Sequence, residues 1–286
     1  MLEVIIHGVL LGGLYSLFAL GLSLMFGVMR LTNIAHGDQI VISGFIGIAI
    51  ASVVDINPFL LILFLVPCAL VSGYAFQYFV LNKTISKDPL PSLVITFGLS
   101  IIAQNLLQEI FSANPQSLDS GGLNTLGISL GNDTVVGVLP LIILGCAIGC
   151  TFGLQWLFTH TAIGRAFRAV SDDRDIAELM GLSSAKVYSM ATAIAFSLVA
   201  LAGLFQSMRT TVAPTDGPSL LLFAFESVII GGMGSFWGTF LGAMTLGLAQ
   251  QIGFYFDPGW GIWFGHLVFI LILAFKPSGL FPKTKG

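Results

Sequence analysis

The sequence predicts an all-α, polytopic transmembrane helical bundle, and three observations predict it. Of 286 residues, 56% are hydrophobic and only 9% are charged, against about 25% charged in a soluble domain. Mean hydropathy is +0.95. Apolar runs long enough to cross a bilayer, which takes about 20 residues of helix, recur near 4–28, 59–80, 92–112, 135–158, 187–208 and 260–276.

Taken in order, the first run begins directly after Met1-Leu2-Glu3 with no basic leader or small-residue cleavage site, so it reads as a first span and not a removable signal. The stretch 39–54 is shorter, uncharged and bounded by Asp38 and Asp55, which suits a short or steep span. The stretch 219–256 is too long for one straight span and is interrupted by Gly231-Gly232-Met233-Gly234-Ser235. The expectation is eight to nine membrane segments in a single domain over 1–286, with a glycine-broken segment at 219–256. Broken backbone at membrane depth is tolerated only where protein or a watery cavity satisfies it. The break is therefore expected at a packed helix interface or near a path.

The net charge of −3 says little about partners, because the position of Lys and Arg sets orientation. The segment 159–186 carries Arg165, Arg168, Arg174 and Lys186; the 82–91 loop carries Lys83 and Lys87; the end carries Lys276, Lys283 and Lys285. These belong on the cytoplasmic side. The 113–134 loop has no Lys or Arg and belongs outside, where Arg209 is the basic residue left over. Both 159–186 and the C-terminus are cytoplasmic only if 219–230 descends, the chain turns at the glycines, and 236–256 returns. The N-terminus is then outside. The outer 113–134 loop, with Gly121-Gly122 and Gly131-Asn132, reads as a docking loop or a mobile connector.

Catalytic chemistry is not indicated, and no catalytic residue or metal ligand set is assigned. Cys68, Cys146 and Cys150 all lie in apolar runs and read as small buried hydrophobes. No G-x-x-x-x-G-K-[ST] occurs, and no lysine follows a glycine, so the chain cannot cradle ATP and no cofactor is expected on it. An ion-coupled secondary transporter would need ionisable groups within its spans; Glu109, Glu226, His7 and His266 are the candidates. Glu226 lies five residues before the break, and three readings stay open for it: a hydrogen bond to the glycine turn, a contact to the path or a substrate amine, or proton coupling. Asn33, His36 and Asp38, with Arg30, form a polar cluster between the first two spans. It either caps the second helix through Asp38 or lines the inner mouth of a path. Gly8/Gly12, Gly238/Gly242 and Gly149/Gly153 put small residues four apart for close helix contact.

The 159–186 loop is unlike its surroundings. From Asp172 it predicts a short amphipathic helix with acidic residues in its first turn, apolar Ile176, Ala177, Leu179 and Met180, and a stop at Gly181. Gly164-Arg-Ala-Phe-Arg-Ala-Val followed by Asp-Arg-Asp-Ile-Ala-Glu-Leu-Met-Gly181-Leu resembles the cytoplasmic coupling loop of ABC importer permeases of the branched-chain amino acid (LivH-like) family. Met25-Phe-Gly-Val-Met-Arg-Leu-Thr-Asn-Ile-Ala-His-Gly-Asp38, the glycine segment from Gly231 and Lys276-Pro-Ser-Gly-Leu-Phe281 resemble other segments of that family, in the same order.

The resemblance implies a permease subunit of an ATP-driven importer in a bacterial inner membrane, surrounded by lipid and without a nucleic-acid partner. It implies two cytoplasmic ATPase subunits, a second permease subunit that is similar or identical, and an extracytoplasmic substrate-binding protein. The solute would be a branched-chain or other amino acid, with urea or an amide as alternatives. Ala177, Glu178 and Gly181 would lie on the helix that fits the ATPase, supported by Gly164, Arg165, Arg168 and Asp173. Asn33, His36, Asp38, Glu226, Gly231 and Gly232 are candidates for lining the path.

Overall fold

The computed structural model describes residues 1–29, 32–54, 57–85, 90–129 and 135–281; Arg30, Asp55, Lys87, Gly131, Asn132, Lys283 and Lys285 lie outside the described residues. The helices run in the order α1 (Leu2–Met29), α2 (His36–Val53), α3 (Pro58–Phe79), α4 (Leu90–Phe111), α5 (Val138–His160), α6 (Ala162–Asp172), α7 (Arg174–Leu179), α8 (Ser184–Arg209), α9 (Gly217–Gly231), α10 (Phe236–Phe256) and α11 (Gly261–Phe275). Six of them, α1 to α5 and α8, are each long and apolar enough to cross a membrane; α9 and α10 form a pair bent by 117°, and α11 is a shorter apolar helix. By length and composition six helices qualify as spans, or seven with the bent pair taken as one, against the eight to nine segments expected. Among the described residues, the antiparallel strands β1 (Gly127–Ser129) and β2 (Val135–Gly137) depart from an all-α chain.

Composition makes the spans, since they are apolar on every side, as a membrane span is. Packing then sorts them into layers. α1 and α8 are the most deeply buried spans, while α3, α4 and α5 expose Leu63, Phe64, Phe97, Ile110, Phe152 and Trp156 to the surroundings. In water such an apolar exterior would be a liability; in hydrocarbon it is the solvated face.

Contact between α1 and α10 is the most extensive in the bundle, and glycine permits it. A Cβ at Gly12 would lie 2.7 Å from the Met244 Cα, and one at Gly247 would lie 2.4 Å from the Gly8 carbonyl oxygen. Gly238 and Gly242 face α9 equally tightly. The third pair does not follow: Gly149 and Gly153 meet nothing within 4 Å, so their spacing has no packing partner in this protomer.

The glycine break is a packed corner. Gly232 and Gly234 have φ of +105° and +80°, which side-chain-bearing residues rarely adopt, and Ser235 then caps α10 by accepting from the Gly238 N–H at 3.1 Å. The carbonyls freed at the end of α9 are taken up by the C-terminal segment, whose Leu280 and Phe281 N–H groups donate to Ile230 and Gly231 at 2.8 and 3.0 Å. The break is thus closed by protein. Gly231 and Gly232, expected as path-lining candidates, lie in this corner and line neither of the two cavities described below.

The first half of the 113–134 loop is held on the end of α8. The Leu118 N–H donates to the Ser207 carbonyl at 2.8 Å, and Asn124 Nδ2 donates to the Met208 carbonyl at 2.6 Å. Overpacking a helix contact costs about 1–3 kcal/mol. Gly12→Val should therefore lower the thermal midpoint and the yield of monodisperse protein in detergent, whereas Gly149→Val should leave both unchanged.

Candidate functional site

The polar cluster predicted between the first two spans lies deeper than expected. His36 is fully buried, and its Nε2–H donates to the Phe18 carbonyl at 2.9 Å. Phe18 precedes the end of α1 at Met29 by three turns, roughly 16 Å along the axis. His36 is therefore beside the middle of α1. Asp38 is not an N-cap either: α2 begins at His36 after Ala35, with no side-chain cap. Asn33 takes the turn-forming role, accepting from the Ala35 N–H at 3.1 Å. Its amide also approaches Gln39 at 3.4 Å.

Asp38 is freed to face α4. Its Oδ1 accepts from Gln104 Nε2 at 3.0 Å, and the same amide nitrogen meets Ser100 Oγ at 3.1 Å. The other carboxylate oxygen is buried without a partner among the described residues. Gly217, at the start of α9, packs against this carboxylate so closely that a Cβ would fall 2.0 Å from Oδ1. Gln104 and Ser100 were absent from the sequence-based site, although two adjacent amides, Gln104 and Asn105, inside an apolar run were a readable signal.

Asp38, Gln39 and Ser43 form the polar edge of a cavity of about 660 Å³ between α2, α3, α4 and α8. Apart from Ser72, the rest of its wall is apolar, including Ile42, Leu65, Leu99, Ile102, Leu107 and Phe196. A site of this kind, greasy with few polar groups at one edge, suits a small ligand with an aliphatic body and one charged or polar end. Asn33, His36 and Glu226 do not line it.

Glu226 is buried and paired with His266 Nδ1 at 2.5 Å. The hydrogen bond to the glycine turn is therefore not made; α11 supplies the partner. Phe223 stacks on His266 at 6.1 Å and on Tyr15 at 4.9 Å, so the pair is walled by aromatic rings.

The loop after α5 folds into two helices where one was expected. Thr161 caps α6 through the Gly164 N–H, and Gly164 is required because a Cβ would meet the Leu157 carbonyl at 2.3 Å. Phe167 and Val170 anchor α6 in the core. Arg168 donates to the Phe158 carbonyl and lies over that ring at 5.9 Å, while Arg165 is exposed. Asp173 caps α7 by accepting from the Ile176 N–H at 3.0 Å. Gly181, at φ +88°, ends it, with the Leu182 N–H returning to Ala177. Ala177 is buried against the bundle, so the presented face consists of Ile176, Leu179 and Met180, which are 60%, 86% and 80% exposed. Glu178 accepts from Ser184 Oγ and from Arg174 Nε. These two donors hold its carboxyl below the usual carboxylate range. The link between α7 and α8 is thus present at neutral pH and is lost only as pH falls through that lowered value.

A polytopic helical bundle with a cavity between its spans and an amphipathic helix displayed beyond them is the architecture of a membrane transport permease. The family model described as "Branched-chain amino acid transport system / permease component" matches residues 4–275, and the chain belongs to that family: it is a multi-pass transport component and not an enzyme. Among curated relatives, the high-affinity branched-chain amino acid transport system permease protein BraD of Pseudomonas aeruginosa is 26% identical, over 99% of this chain and 96% of its own. LivH of Escherichia coli K12, described in the same words, is 23% identical over the same shares. The structure of PsaBC from Streptococcus pneumoniae in complex with Fab matches with a TM-score of 0.52 over 95% of this chain and 91% of that chain; at 11% identity it supports the fold alone.

Leaving one partner of a buried polar pair unsatisfied costs about 1–3 kcal/mol. His266→Leu should lower the thermal midpoint more than the double change Glu226→Leu with His266→Leu, measured in the same detergent.

Proposed function

We propose that this chain is the membrane subunit of an ATP-driven importer for amino acids with aliphatic side chains. The observation that carries the coupling part of this reading is α7, a capped helix that turns three large apolar side chains, Ile176, Leu179 and Met180, away from the bundle. Basic residues flank it at Arg165, Arg174 and Lys186, which argues for a cytoplasmic position, an outer N-terminus and an inner C-terminus. Two ATPase subunits are the partners that such a face fits, with ATP bound and consumed by them. A second permease chain and an extracytoplasmic binding protein complete the assembly that the family membership supports.

In this reading the 660 Å³ cavity is part of the solute path. Asp38, at the cavity edge, meets the substrate ammonium, Gln104 holds its carboxylate in place, and the aliphatic wall takes the side chain. That BraD and LivH are named as branched-chain amino acid permeases supports this choice of solute. Movement of the ATPases shifts α7, which pulls on α8 through Glu178 and Ser184, and α8 carries Phe196, Val199 and Ala200 in the cavity wall. The transport cycle is then a two-state switch whose populations ATP binding biases.

Two outcomes test this. Leu179→Asp and Gly181→Arg should reduce the ATPase subunits co-purifying with the tagged chain roughly tenfold or more, as expected for losing an interface anchor. Recovery of this chain alone from wild-type cells, with transport driven by an ion gradient, would overturn the reading. Asp38→Asn should leave assembly intact while raising the apparent KM for leucine uptake roughly ten- to a hundredfold, the range of a lost charge-assisted hydrogen bond. An unchanged KM would remove Asp38 from the path.

A further inference from the structure

A second cavity, of about 250 Å³, lies between α1, α8, α9, α10 and α11 and is separate from the Asp38 cavity in every lining residue. Its polar groups are Arg209, at the end of α8, together with Tyr15, Gln206, Thr210, Gln250 and Gln251. No carboxylate lines it. Among the described residues, no acidic side chain forms an ion pair with Arg209. Glu226, on the neighbouring α9, is engaged by His266.

Gln250 lies in the same wall. Tyr15 donates its hydroxyl to Gln250 Oε1 at 2.6 Å. Gln250 is 1% exposed, and its Nε2 has no acceptor among the described residues. A buried amide donor without an acceptor costs about 1–3 kcal/mol, and a cation held against apolar helices is costly until paired. A basic residue at a helix C-terminus also meets the helix dipole, but that accounts neither for the cavity nor for the idle donor on α10.

We propose that this cavity is an oxyanion site in which the Arg209 guanidinium pairs with a carboxylate or phosphate group. The volume holds such a group with a short aliphatic attachment. Leu11, Leu14, Phe254 and Ile262 supply the apolar wall for that attachment. The oxyanion comes either from a free solute or from a lipid headgroup, and the chemistry of recognition is the same for both. The inference does not rest on the transport reading.

The test uses the purified, delipidated full-length chain in detergent, with phenylglyoxal labelling of arginines followed by peptide mass spectrometry. L-Leucine, propionate and phosphatidylglycerol in mixed micelles are added separately, and chloride keeps ionic strength constant. At a ligand concentration ten times its Kd, the site is about nine-tenths occupied and Arg209 labelling should slow about tenfold. Exposed Arg174 should label at an unchanged rate. Protection by leucine and propionate identifies a solute carboxylate, and protection by phosphatidylglycerol alone identifies a lipid phosphate; either result supports the site. No protection by any of the three, or equal slowing at Arg174, overturns it. As a second measurement, Arg209→Gln should abolish the rise in thermal midpoint that the protecting compound gives the wild type, and Arg209→Lys should keep part of it; a full rise in Arg209→Gln also overturns the proposal.

Discussion

The approach of α10 to α1 is the contact on which the rest of the bundle depends. In lipid, burying apolar side chains between helices gains little over leaving them in hydrocarbon, so association rests on dense packing and on hydrogen bonds. Gly8, Gly12 and Gly247 let two backbones meet where any side chain would hold them apart. Thr239 and Ser23 then join the same helices by a buried hydroxyl contact at 2.8 Å. With α10 fixed there, the corner at Gly231 to Ser235 sets the course of α9, and α9 brings Gly217 against Asp38 and Glu226 to His266.

α8 connects the features that matter for activity. Its first residue, Ser184, holds Glu178 of the displayed helix. Its middle lines the Asp38 cavity, and its last residue, Arg209, lines the second cavity. A displacement of α7 therefore has a rigid element on which to act. The cavities differ in character: one is edged by a carboxylate and the other by a guanidinium, so they favour opposite charges at different levels of the same helix.

The spans were legible because hydropathy in a membrane chain is a local property, readable one run at a time. The 159–186 loop was legible for the converse reason, since charge and amphipathicity stand out on an apolar background. What the sequence hid was decided by partners distant along the chain. Asp38 looked like a cap because it precedes a helix; α2 in fact starts two residues earlier, and Gln104, 66 residues away, claims the carboxylate. Glu226 sat near a glycine turn in sequence, but its partner is 40 residues on. Gly149 and Gly153 carry the same spacing as Gly8 and Gly12, yet only the latter pair has a helix across from it. Ala177 belonged to the amphipathic pattern of α7, and only the fold shows that it turns inward while Leu179 and Met180 turn out.

The seal on the broken helix has a consequence in time. The carbonyls of Ile230 and Gly231 are satisfied by Leu280 and Phe281, which follow α11 and so are made after both helices of the corner. Until α11 has been inserted and the tail has folded back, the corner between α9 and α10 stands with open hydrogen-bonding groups in or near lipid. The corner is therefore sealed only after α11 and the segment beyond it are in place.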